Sequence, residues 1–128
     1  MSVPGPRDAR ICVEFPADPR YVSAVRVAVG SSAGFVGDPA DARELSAAVG
    51  EALVIVGVDS GRVGTCSVCI ELEPGCARVT VTGPGLDADA DEGEMARLML
   101  TGLSDDFSES AGTGEATVTL SKAFAAVQ

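Results

Sequence analysis

Two stretches near the middle of the chain, "TCSVCIELE" (65–73) and "ARVTVTG" (77–83), alternate apolar and polar residues, and only "PGC" separates them. Side chains two apart on an extended chain share a face, so each stretch has one apolar and one polar face. A link that short, with a glycine in it, joins neighbouring antiparallel strands and cannot make the long crossover that parallel strands need. The chain is thereby committed to an antiparallel sheet whose apolar face must be covered.

The rest of the chain supplies the cover. "ADPRYVSAVRVAVGSSAG" opens with Asp18 as N-cap and Pro19 at the first helical position, and Gly34 is its stop. Val22, Val25 and Val29 form its apolar stripe. "GDPADARELSAAVGEALVIVG" repeats the grammar with Asp38 and Pro39 and ends near Gly57. Its core stripe is Leu45, Ala48, Val49, Ala52 and Val56, with Glu44, Ala47, Glu51 and Ile55 on the neighbouring face. A third helix is expected in "EMARLMLTGLS", with Met95, Leu98, Met99 and Leu103 inward. "RICVEF" is a first strand, with Ile11, Val13 and Phe15 on one face, and "DDFSES" and "EATVTLSK", joined by "AGTG", make a closing hairpin. The order β-α-α-β-β-α-β-β predicts an α/β two-layer sandwich: a mostly antiparallel mixed sheet covered on one face by three helices. Residues 11–128 are read as one domain behind a flexible N-terminal tail, 1–10.

Composition narrows the chemistry. The 128 residues include no His and no Trp, so the commonest general base and zinc ligand are missing, and Ser-His or Cys-His catalysis is excluded. Nine basic residues face nineteen acids, for a net charge of −10. That balance argues against nucleic acid, which needs clustered cations. It fits a basic protein partner, or simply solubility. "MSVPGPRDAR" has no apolar core of a signal peptide, and no apolar run approaches a membrane span. A cytoplasmic protein with four reduced cysteines is expected.

Three constellations invite chemistry. Cys66-x-x-Cys69 has the spacing of a zinc or redox pair, but on a strand its two side chains point to opposite faces, so both read as packing residues and no metal is expected. "DADADEGE" places Asp87, Asp89 and Asp91 like a calcium loop, yet its glycine is Gly93 and Leu98 stands where a bidentate Glu belongs; a solvated acidic loop is expected. Gly83 and Gly85 end a buried-type strand, where glycines let backbone approach a ligand or another segment.

Together, "FPADPRYVSAVRVAV", "LSAAVGEA", "VTVTGPG" and "ATVTLSK" resemble the anti-sigma regulatory factors, serine kinases with the ATP-binding fold of histidine kinases, gyrase and Hsp90. The resemblance spans nearly the whole chain. It implies that Glu51 occupies the place of the catalytic base, and that a magnesium-binding Asn should follow four residues later, where this chain has Ile55. It puts Val81 at the adenine-reading Asp, before Gly83 and Gly85, and Ala116 at a nucleotide-contacting Thr. In the glycine-rich phosphate box only Gly93 remains, beside Glu94. A branched alkyl group cannot ligate a hard cation. The resemblance therefore implies Glu51, Gly83, Gly85 and Gly93 as remnants of a nucleotide site, with no cofactor expected unless Mg-ATP still binds there.

As a function, the resemblance implies binding of a sigma factor or an anti-anti-sigma (STAS-type) protein by a homodimer, with Arg26 matching the family's Arg near the partner surface. Arg26 could equally be a side chain snorkelling at the edge of an apolar stripe. Two alternatives stand beside this: an active serine/threonine kinase acting on an anti-anti-sigma factor, and a non-catalytic scaffold for another small ligand.

Overall fold

The computed structural model describes residues 9–34, 37–86, 91–112 and 114–124. Five strands, β1 (Ala9–Pro16), β2 (Thr65–Glu73), β3 (Cys76–Gly83), β4 (Asp106–Gly112) and β5 (Glu115–Ala123), lie in the order β1-β2-β3-β5-β4. All four pairings are antiparallel. Helices α1 (Val22–Ala33), α2 (Pro39–Ile55) and α3 (Asp91–Leu103) supply the second layer. This is the two-layer sandwich that the alternating strands require.

Both Asp-Pro signals act as read. Asp18 accepts from the Arg20 backbone N–H and opens a 3-10 turn, Pro19–Tyr21, that leads into α1; Asp38 accepts from the Asp41 N–H at the start of α2. Gly34 caps α1. On β2 and β3 every second side chain is buried, and Phe15, Cys66, Val68, Ile70, Ala77, Val79, Val81, Val118 and Leu120 pack under the helices. Leu45, Ala48, Val49 and Ala52 of α2, and Val56 just past its end, are fully buried among them, each contributing to a close-packed core. Burying a Leu or Val side chain stabilises by about 1.5–3 kcal/mol.

Three expectations change. α3 begins at Asp91, and its inward stripe is Gly93, Ala96 and Leu100, with Leu103 packed alongside. Met95, Leu98 and Met99, expected inward, are 63%, 71% and 48% exposed. Two apolar stripes share this helix, and the one with smaller side chains lets it pack closely, so periodicity alone selects the wrong face. The second change concerns the cysteines. Cys12 and Cys69 are direct partners in the β1–β2 register, Cα atoms 4.1 Å apart, and form a disulfide on the outer face of the sheet. Cys66 and Cys76 are free, and Cys66 points into the core, away from Cys69, as its place on a strand dictates. Third, Ala9 and Arg10, read as tail, belong to β1, while the rest of that tail and Asp87 to Ala90 of the acidic stretch lie outside the described residues.

Candidate functional site

The residues singled out at the two glycines converge at one end of the sheet. β3 ends at Gly83, opposite Ala116 of β5, and α2 ends at Ile55, capped by Val56. There the helix end and the strand end press directly on each other. The Gly85 N–H donates to the Val56 carbonyl at 2.7 Å. A Cβ on Gly57 would fall 2.2 Å from the Gly85 oxygen, and one on Gly83 2.5 Å from the Val56 oxygen. Gly57 and Gly85 also hold φ of +89° and +92°, in the left-handed region. The glycines thus admit the chain's own backbone. Arg62 reaches the same corner, where its Nη1 donates to the Pro84 carbonyl at 3.4 Å. Sequence reading missed Arg62 and took Gly57 only as a helix stop.

The side chains around this corner are largely hydrocarbon. Ile55 is 3% exposed and Val81 fully buried. Glu51, one turn before Ile55, is half-buried and has no hydrogen bond or ion pair among the described residues. Gly93 lies on the first turn of α3, where an added Cβ would meet Arg97 Nη1 at 3.1 Å and Leu86 Cδ1 at 3.3 Å. Asp91, Glu92 and Glu94 crowd that same turn, and Arg97 is held by Glu109 through two hydrogen bonds of 2.6 and 2.9 Å. Among the described residues no group of three His, Cys, Asp or Glu side chains converges to hold a metal.

A second region lies on the other side of α2. A hollow of about 510 Å³ opens between α1 and α2, lined by Arg26, Val27, Ser31, Arg43 and Ser46 among others. Gly50 makes room for the stem of Arg26, whose Cδ lies 3.1 Å from the place a Cβ would take. Ser46 Oγ donates to the Arg26 carbonyl at 2.8 Å and ties the two helices together. Neither Arg26 nor Arg43 forms an ion pair among the described residues. In a chain so rich in carboxylates, two uncompensated guanidiniums beside one hollow are a local reversal of charge. Arg43 gave no signal in the sequence, because a lone Arg on a helix is ordinarily a solvated charge.

Two buried titratable groups complete the picture. Lys122 of β5 points inward and is nearly buried, with Nζ 2.5 Å from Glu44 of α2. That hydrogen bond holds its ammonium pKa above the usual lysine value, outweighing burial. Burial pushes the Cys66 thiol up to about 11, which keeps it protonated and unreactive.

No protein-family model matches the chain, and no curated protein matches it. Among solved structures, it is similar to the crystal structure of the RsbU and RsbW domains of Rv1364c from Mycobacterium tuberculosis, with a TM-score of 0.69 and 17% identity. The match covers 90% of this chain and 32% of that one, so the chain spans about a third of that protein's length. The likeness is one of fold, shared by a chain that builds a five-stranded antiparallel sheet with three helices. No helix among the described residues is long and apolar enough to cross a membrane.

Proposed function

We propose that this chain is an anti-sigma-like regulatory protein that works by binding, engaging a sigma factor or an anti-anti-sigma protein through its α1–α2 face, as a homodimer in the cytoplasm and without Mg-ATP. The observation that carries the reading is Ile55. It is 3% exposed, one turn beyond Glu51, and belongs to the core. Magnesium needs oxygen ligands, and this position offers only hydrocarbon. Val81 likewise offers no acceptor to a purine amino group, and the carboxylates of the first α3 turn oppose phosphate, cancelling the pull of a helix N-terminus. These side chains do not fit a magnesium nucleotide. The likeness to a structure named for its RsbW domain supports the regulatory class. Arg26 and Arg43, beside an open hollow, support the choice of face.

Calorimetry with Mg-ATP tests the first half: silence up to about millimolar nucleotide is expected, and micromolar binding would sink the reading. Affinity capture from the native host tests the second half. Recovery of a sigma factor or an anti-anti-sigma protein is expected from the wild-type chain, with about tenfold weaker capture by Arg26→Ala. Capture of neither class would count decisively against it.

The kinase alternative keeps one observation in its favour. Glu51 retains a half-buried carboxylate with no hydrogen bond among the described residues, which is how an unengaged base would look. Micromolar Mg-ATP binding abolished by Glu51→Gln would favour it.

A further inference from the structure

α3 is apolar on two sides. Gly93, Ala96 and Leu100 face the core, while Met95, Leu98 and Met99 are 63%, 71% and 48% exposed. Spacings of three and four residues place these three side chains on one outward ridge, with Asp91 one turn before Met95 and Gly102 one turn after Leu98. A surface helix ordinarily shows charge opposite its buried stripe. Here the exposed side carries both methionines of the helix and one of its three leucines. Methionines adapt to varied partners, and Gly102, with nothing within 4 Å of its Cβ position, lets another backbone come close.

The charge around the ridge has one sign. Asp91, Glu92 and Glu94 are exposed on the first turn, α3 contains no lysine, and its single arginine, Arg97, is neutralised by Glu109. This selects the occupant. A second copy of α3 would bring three more carboxylates and no free cation. An anionic membrane surface would be repelled. A helix with leucine-type residues on one face and Lys or Arg flanking them would satisfy both the ridge and its rim.

We infer that the Met95–Leu98–Met99 ridge of α3 is a docking surface for a basic amphipathic helix of a partner protein. This surface is distinct from the Arg26–Arg43 hollow, whose charge is opposite, and it stands whether or not the anti-sigma reading does. The acidic first turn steers the partner's cations, while the ridge supplies the desolvated contact that holds them. Both contributions are needed: charge alone on a solvated surface gives little net affinity.

The test titrates the isotope-labelled full chain by NMR with a synthetic Leu/Lys amphipathic helix of about five turns. Its controls are a scrambled peptide of the same composition and a Leu/Glu analogue. Amide shifts concentrated over 91–102 are expected, about tenfold weaker binding after Leu98→Gln, and a similar loss between about 50 and about 500 mM salt. Leu98 is exposed, so this variant should keep the wild-type melting curve, and Met95→Gln gives an independent second reading. Equal binding of the scrambled or acidic peptide would overturn the proposal. So would shifts centred on the α1–α2 hollow, or unchanged affinity in both variants. Sedimentation showing that the free chain self-associates through α3, and that Leu98→Gln abolishes this, would overturn it in favour of a second copy.

Discussion

The two ends of α2 are built to opposite purposes. Toward its start, Arg43 and Ser46 face α1 across a hollow of about 510 Å³, with two guanidiniums uncompensated. At its finish, Ile55, Val56 and Gly57 close against β3 so tightly that backbone touches backbone. One end can admit something from outside, and the other has been filled by the chain itself. The difference teaches where to look for function in a molecule whose α2–β3 corner is lined with hydrocarbon and whose α1–α2 hollow carries charge. At the closed end Ile55 offers a cation no ligand, whereas the arginines at the open end are available to an acidic group.

The closed end gives the largest effect. Gly57→Ala would place a methyl on the Gly85 carbonyl at a φ of +89°, and should cost about 4–5 kcal/mol in urea denaturation. Gly30→Ala, at the open end, meets only ordinary contacts at 3.6 Å and longer, and should be neutral or stabilise by up to about 1 kcal/mol. Equal losses in the two variants would erase the contrast. Next comes the Cys12–Cys69 disulfide, whose partners are 57 residues apart. On chain-entropy grounds its reduction should lower stability by about 4 kcal/mol. Because it lies on the outer sheet face, partner capture at a temperature where the chain stays folded should not change; a loss of capture would link the two faces.

A smaller effect concerns the pair that fastens the first half of α2 to β5. The Lys122 pKa is raised above its unfolded value of 10.5, so the stabilisation from Glu44 is complete below that pH and is lost as pH rises through the folded value. Above pH 10.5 the wild type should therefore lose about 1 kcal/mol more than Lys122→Met does. Cys66 gives a separate loss that begins lower, near its unfolded value of 9.0, and runs up to about 11, so Cys66→Ala in the Lys122→Met background separates the two. Smallest of all, Glu51→Ala should leave partner capture within about twofold of wild type. Abolished capture would show that the closed end still serves binding.

Much of this architecture is legible in the sequence. The Asp-Pro starts, the alternating strands and the Gly34 stop are local signals, and local rules set them. α3 is not, because its sequence carries two helical stripes and only the tertiary fit against α2 chooses between them. Nor is the disulfide, since the identity of the strand facing β1 is a long-range fact that Cys12 and Cys69 do not declare. At the site, Glu51 and Ile55 could be placed one turn apart from spacing alone. Arg43 and Arg62 acquire meaning only from what folds beside them.

The borders of the sheet carry one more consequence. β4, at one border, is short and mostly exposed, with Asp106 and Glu109 along it; β1, at the other, ends in Pro16, which has no N–H to offer, and is stapled to β2. Charge on a border strand and a missing donor both discourage a neighbouring molecule from extending the ladder. Both borders therefore disfavour edge-to-edge pairing, which should slow aggregation when the protein is concentrated.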